Sequence, residues 1–174
     1  MVNFTREYSL RKIGKSLNIH PDTIEQYLNY LSKCFVIAIL PIFAYKLRTQ
    51  FHEQKKIYVI DSGLRNTVSF HFASEKGKHA ENLVFWELFR DKKELYYWKT
   101  HSNEVDFVVT KGMNVLEVLQ VCWSLEDPDV ATREKEGLVA AAKEFHLPTG
   151  TLITAFDQYD EIIDGVTIHI VRLV

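Results

Sequence analysis

The sequence predicts a mixed α/β (α+β) fold arranged as two modules, and three observations predict it. Helical periodicity in the first third gives way to strands. After about residue 78 a helix leads into a three-strand meander and a strand–helix–strand passage. The charge also divides. Residues 1–60 carry nine Lys/Arg against four acids, whereas residues 61–174 carry 12 basic and 19 acidic side chains, so +5 faces −7 inside a total of −2. The 174 residues, 47% hydrophobic and 25% charged, match a soluble globular composition, which excludes a disordered or collagenous chain. The longest apolar stretch, Cys34–Tyr45, is interrupted by Pro41 and is too short to span a bilayer, so no membrane partner is expected. The opening MVNFTREYS lacks the pattern of a signal peptide, and two cysteines cannot make a disulfide framework. From both observations the expected location is the reducing cytoplasm.

In the first module, Ser9 is an N-cap for a helix carrying Leu10, Ile13 and Leu17 on one face. Asn18-Ile19-His20 breaks it. Pro21 opens a second helix with Ile24, Tyr27, Leu28 and Leu31 on its apolar face. VIAILPIF and KKIYVID follow as strands, with the polar stretch Lys46–Lys56 between them. A helix-turn-helix followed by a two-stranded ribbon describes a winged helix over 1–61. On that reading DNA is a candidate partner. The second helix offers His20, Asp22, Thr23, Gln26 and Asn29 to a groove, and Lys46, Arg48, Lys55 and Lys56 meet phosphates from the wing. Asp22 and Glu25 on the same helix suit a sequence reader poorly, so protein docking stands beside DNA contact as the role of this module. Residues 62–78, rich in Ser, Gly, Asn and His, are expected to form a linker.

In the second module, 79–174, His79–Arg90 reads as an amphipathic helix and ELYYWKT, EVDFVVT and VLEVLQVCWS as a meander. Asp129–Phe145 reads as a second helix, and TLITAF and TIHIVRL close the sheet. The order predicts a mixed sheet with helices on its faces. Asp106 sits mid-strand between Val105 and Phe107, where a carboxylate must be paired or bind a cation. On the next strand, alternation puts Gln120 with Leu116, Val118 and Cys122 on one face. A strand carboxylate opposite polar atoms of its hairpin partner outlines a hard-metal site, the arrangement that metal-dependent phosphodiester cleavage requires.

The segments GKHAENLVFWEL, YYWKTHSNEVDFVV and VLEVLQVCWSLEDPDVATREKEGL resemble the C-terminal region of archaeal and bacterial AAA+-type ATPases. That region has a nuclease-like (PD-(D/E)XK, restriction-endonuclease-like) fold of unknown function. YSLRKIGKSLNIHPDTIEQYLNYLSKCFVI and KKIYVIDSGL resemble the winged helix that precedes it. The resemblance implies a partner ATPase domain, Glu81 as the helix acid of a nuclease-like site, and Asp106 as its metal-binding acid, with Mg²⁺ or Mn²⁺ at Asp106 and Gln120.

The pattern breaks on the strand after Asp106. The family site needs (D/E)-x-K there, and the chain has Gln120-Val121-Cys122. Gln can offer a carbonyl to a metal, but Cys122 cannot supply the lysine's charge. The resulting expectation is a degenerate site of Glu81, Asp106 and Gln120 that does not hydrolyse. The alternative is a metal-dependent nuclease with a relocated lysine, Lys99 by proximity in sequence and Lys135 more remotely. Gly14-Lys15-Ser16 falls inside a helix, outside any phosphate-loop pattern, so no ATP binding by this chain is expected.

Overall fold

The computed structural model describes residues 4–46, 54–60 and 76–173. The first module begins with a short strand, β1 (Glu7–Tyr8), followed by α1 (Leu10–Leu17) and α2 (Pro21–Lys33). The Ser9 side chain caps α1 by accepting from the Lys12 amide, and Asn18 ends it in the left-handed conformation. Pro21 occupies the first turn of α2, where its missing amide proton leaves no bond unmade. Then come β2 (Ile37–Leu40) and β3 (Lys55–Val59). β3 pairs antiparallel with β2 on one side and with β1 on the other, giving a three-stranded sheet in which β1 was not anticipated. Most of the stretch expected as a wing, Arg48 included, lies outside the described residues.

The second module opens with α3 (Lys76–Arg90). The helix therefore starts at Lys76, and the last three residues of the expected linker are helical; residues 62–75 lie outside the described residues. The meander follows as β4 (Glu94–Lys99), β5 (Glu104–Lys111) and β6 (Asn114–Val121). A crossover helix, α4 (Pro128–Glu144), leads to β7 (Thr149–Thr154), and a hairpin of β8 (Tyr159–Ile163) and β9 (Val166–Arg172) completes the sheet. The six strands run in the order β4-β5-β6-β7-β9-β8. The β6–β7 and β7–β9 pairs are parallel and the others antiparallel, so the sheet is mixed, as the element order predicts. β8 was missed. Its signal was the Asp164-Gly165 pair, whose positive φ values of 53° and 80° make the tight turn into β9.

Each face of the large sheet has its own core. α4 packs Leu138, Val139, Ala141 and Ala142 against Val105, Val108, Val118, Leu152 and Ile168. On the other face α3 packs Val84, Phe85 and Leu88 against Leu95, Phe107, Val109, Leu119 and Val121. Ala38, Leu40 and Tyr58 of the first module join this second core, and Tyr58 stacks on Phe85 at 4.0 Å between ring centroids. The small sheet thus has two different faces. One, with Ile37, Ile57 and Val59, lies under α2, and the other lies on the six-stranded sheet and α3. Ile42, just past β2, bridges in parallel to Tyr97 and covers the β4 edge. From α3, the Asn82 amide side chain accepts from the Val59 N–H at 3.0 Å and donates to the Val59 carbonyl at 2.9 Å.

Candidate functional site

A cleft of about 400 Å³ opens where the first module meets β4, β5, β6 and α4. Asp106 stands on its floor because β5 is irregular there. Tyr96 pairs with Val108 but Trp98 with Val105, so Tyr97 faces two β5 residues, Asp106 and Phe107. Such a bulge re-aims a side chain. Val105 and Val108 then face α4 while Phe107 and Val109 face α3, and Asp106 turns into the cleft between them.

The central group is Lys56, and it is not on an exposed wing. It is 2% exposed and its Nζ lies 2.8 Å from Glu104 Oε1, 3.0 Å from Asp106 Oδ1 and 3.4 Å from Glu81 Oε1. Burial alone would drive the proton off Lys56; Asp106 and then Glu81 reverse this and hold its ammonium well above the ordinary lysine value. Burial works against Glu104 as well, yet the Lys56 charge leaves that carboxyl below its usual range. Glu81 behaves differently. Burial, and then repulsion from Asp106, push it up to about 8, although Lys56 and a 2.8 Å hydrogen bond from the Tyr58 hydroxyl favour its charge. Glu81 therefore keeps its proton to a higher pH than a free glutamate does.

Gln120 faces Asp106, as alternation requires. Its Oε1 accepts from the Asp106 backbone N–H at 2.9 Å, and its Nε2 donates to Glu134 Oε2 at 2.5 Å. The Val121 N–H donates to Asp106 Oδ2 at 3.1 Å. Arg133 holds the other side of Glu134 at 2.5 Å. Gly137 lets α4 come this close, since a Cβ there would stand 2.7 Å from the Glu104 carbonyl oxygen.

The structure thus brings together three residues expected at the site: Glu81, Asp106 and Gln120. Lys99 lines the cleft but is paired with Glu7 at 2.8 Å and Glu104 at 3.7 Å. Lys135 is paired with Glu161 outside the cleft lining. The lysine at the carboxylates is Lys56, from the first module. Its signal was present in β3: with two consecutive lysines in one strand, alternation turns one of them to each face. Glu134, in the second turn of α4, gave no such signal. His20 caps α2, accepting from the Asp22 N–H, and is exposed, as is Gln26; Thr23 is half-buried. Lys46 is exposed and Lys55 half-buried.

The Mg²⁺ or Mn²⁺ that the resemblance implies does not fit these donors as they are arranged. Asp106 Oδ1 is on Lys56, its Oδ2 on the Val121 amide, and the Gln120 oxygen on the Asp106 amide. Among the described residues no group of three or more His, Cys, Asp or Glu is placed to hold a metal ion. Cys122, where the motif lysine would stand, is a buried member of the α4-side core.

Comparison with known proteins places families on both modules. Residues 76–170 match the family described as Domain of unknown function (DUF4143), and residues 2–75 match Domain of unknown function (DUF8612). The chain is 34% identical over 184 residues to the uncharacterized protein MJ1544 of Methanocaldococcus jannaschii, covering 98% of this chain and 40% of that protein. An uncharacterized protein of Haemophilus influenzae is 25% identical over 146 residues, covering 84% of this chain and 35% of its own length. The chain therefore spans less than half the length of these curated relatives. No solved structure matches.

Proposed function

The chain belongs to the family described as Domain of unknown function (DUF4143), and from that premise we propose that it is the C-terminal module of an AAA+-type ATPase, with a nuclease-like sheet kept for binding and assembly instead of hydrolysis. The family's usual occurrence in ATPase-associated regions and the greater length of the relatives support the first half of this reading. One observation carries the second half. Gln120, in the place of the motif acid, has its oxygen on the Asp106 backbone amide and its nitrogen on Glu134, so it acts as a strut between β5 and α4. The first module supplies the binding surface, through His20, Thr23 and Gln26 of α2 and through Lys46 and Lys55. DNA and a docked protein are the two partner classes.

A second reading is favoured by the Lys56 Nζ, 3.0 Å from Asp106: a metal-dependent nuclease whose relocated lysine is Lys56 and not Lys99. The test is incubation of the protein with linear and supercoiled DNA in Mg²⁺ or Mn²⁺, beside Asp106→Ala. We expect no cleavage from either. Cleavage by the native chain that the substitution abolishes would establish the nuclease. In parallel, DNA retention is expected at low salt and should weaken steeply as salt rises. Absence of retention at low salt would assign the first module to protein docking.

A further inference from the structure

We propose that Lys56 is the resident cation of the carboxylate centre: its ammonium stands in the place of a divalent ion, so the native chain excludes Mg²⁺ and Mn²⁺ there, and removing Lys56 admits one. The proposal rests on the reading of the centre as nuclease-like.

Stoichiometry is the first argument. An ammonium has three N–H donors, and three carboxyl groups surround it, Glu81, Glu104 and Asp106, at 3.4, 2.8 and 3.0 Å. The Tyr97 ring lies on a further side, its centroid 5.4 Å from Nζ. No donor is left pointing into the cleft for a phosphate or a water, which a lysine assisting a nucleophile would need.

Distance is the second argument. Separations of 2.8 to 3.4 Å are those of N–H···O contacts. Mg²⁺ needs oxygens at about 2.0–2.1 Å and Ca²⁺ at about 2.3–2.6 Å. The carboxylates would have to close in by roughly half an ångström or more, around a position already filled.

Permanence is the third. Lys56 is rooted in β3, which is hydrogen-bonded on both edges. Tyr58, two residues on, is fully buried against Phe85. Withdrawing β3 would dismantle the α3-side core, so the ammonium is a fixed part of the centre and no mobile plug. The two cation arrangements are therefore mutually exclusive, and the chain carries the one that needs no metal supply.

The experiment compares the native protein, Asp106→Asn, Lys56→Met, and Lys56→Met/Asp106→Asn, each with and without millimolar Mn²⁺. Thermal melting and the electron paramagnetic resonance signal of free Mn²⁺ are the two readouts. The native Tm and the free Mn²⁺ signal should not change. Lys56→Met should melt lower, take up one Mn²⁺ per chain, and regain a rise in Tm on the order of 5 °C. The double variant should take up none. Mn²⁺ uptake by the native chain that Asp106→Asn abolishes would overturn the proposal. So would a Lys56→Met chain that binds no Mn²⁺, whether it folds or not, because a cation is what it would lack. Cleavage of DNA by the native protein is a different result: it would end the non-hydrolytic reading, whereas Mn²⁺ uptake without cleavage ends only this inference.

Discussion

The exposed face of α1 and α2 and the floor of the cleft use the same kinds of side chain in opposite ways. Arg11, Lys12 and Lys15 on α1 stand in solvent, where a charge is cheap and its interactions are screened. On the cleft floor one lysine is buried against the nearly buried Glu81 and Asp106, with the more exposed Glu104 beside them, and there each charge depends on the others. The difference teaches how to read the charge split of the sequence. The +5 of the first sixty residues looks like a surface property of one module, and the −7 of the remainder like that of another. Yet the cation that matters most belongs to the first and is buried among acids of the second. A half-by-half sum counts charges without locating them, and here it divides a single electrostatic unit in two.

The adjacent lysines of β3 offer the sharpest way to break that comparison. Lys55 and Lys56 are identical in type and consecutive in sequence, but Lys55 is half-buried and Lys56 holds the centre. Lys56→Met leaves the buried Asp106 without its cation, and breaking a buried pair in this manner costs about 3–5 kcal/mol. Lys55→Met should stay within about 0.5 kcal/mol, as for other surface changes. Urea unfolding of the two variants measures both. Equal effects would mean that the charge of β3, and not its placement, is what the fold requires.

A smaller effect is expected where the modules are joined by neutral groups. Asn82 satisfies both the N–H and the carbonyl of Val59 from α3, and Trp86 Nε1 shares that carbonyl at 2.6 Å. Asn82→Ala leaves the buried N–H without a partner, a loss of about 1–3 kcal/mol, while the carbonyl keeps Trp86. Hydrogen exchange at the Val59 amide should speed up in the variant. If it does not, the contact between β3 and α3 is held by apolar packing alone.

How much of this was legible in the sequence follows from the range of each interaction. α1, α2, the meander and α4 were readable because caps, Pro21 and periodicity act within a few residues. Asp106 stood out because a carboxylate between Val105 and Phe107 contradicts its surroundings. Gln120 was paired with it correctly because alternation and hairpin register are local rules. β1 was too short for any periodic signal, and the polar YDEII of β8 has none. Lys56 was assigned to an exposed wing because its partners lie 25, 48 and 50 residues away, beyond the reach of any local pattern. The bulge that aims Asp106 depends on the pairing of β5 with β4 and likewise has no signature in either strand alone.

The finest test of the comparison is a proton. Glu81 is raised from 4.5 to about 8 by burial and by Asp106, so the folded chain holds a proton there that the unfolded chain releases above about pH 4.5. A group whose pKa is higher in the folded state stabilises the fold below its unfolded pKa, and that contribution is lost as pH rises through the folded value. Between about pH 4.5 and 8, Glu81 therefore makes stability fall with rising pH. Glu81→Gln is close in shape to the protonated acid and can still accept from the Tyr58 hydroxyl. Near pH 4, where Glu81 is protonated in both the folded and the unfolded chain, it should change stability little. By pH 8.5 the native chain should have lost stability relative to the variant, because only the native chain must ionise a third carboxylate beside Asp106 or keep its proton at a rising cost. Subtracting the two urea titrations across this range removes the contribution of groups common to both. A flat difference would mean that Glu81 is already ionised in the fold, and that Lys56 balances three full charges instead of two and a proton.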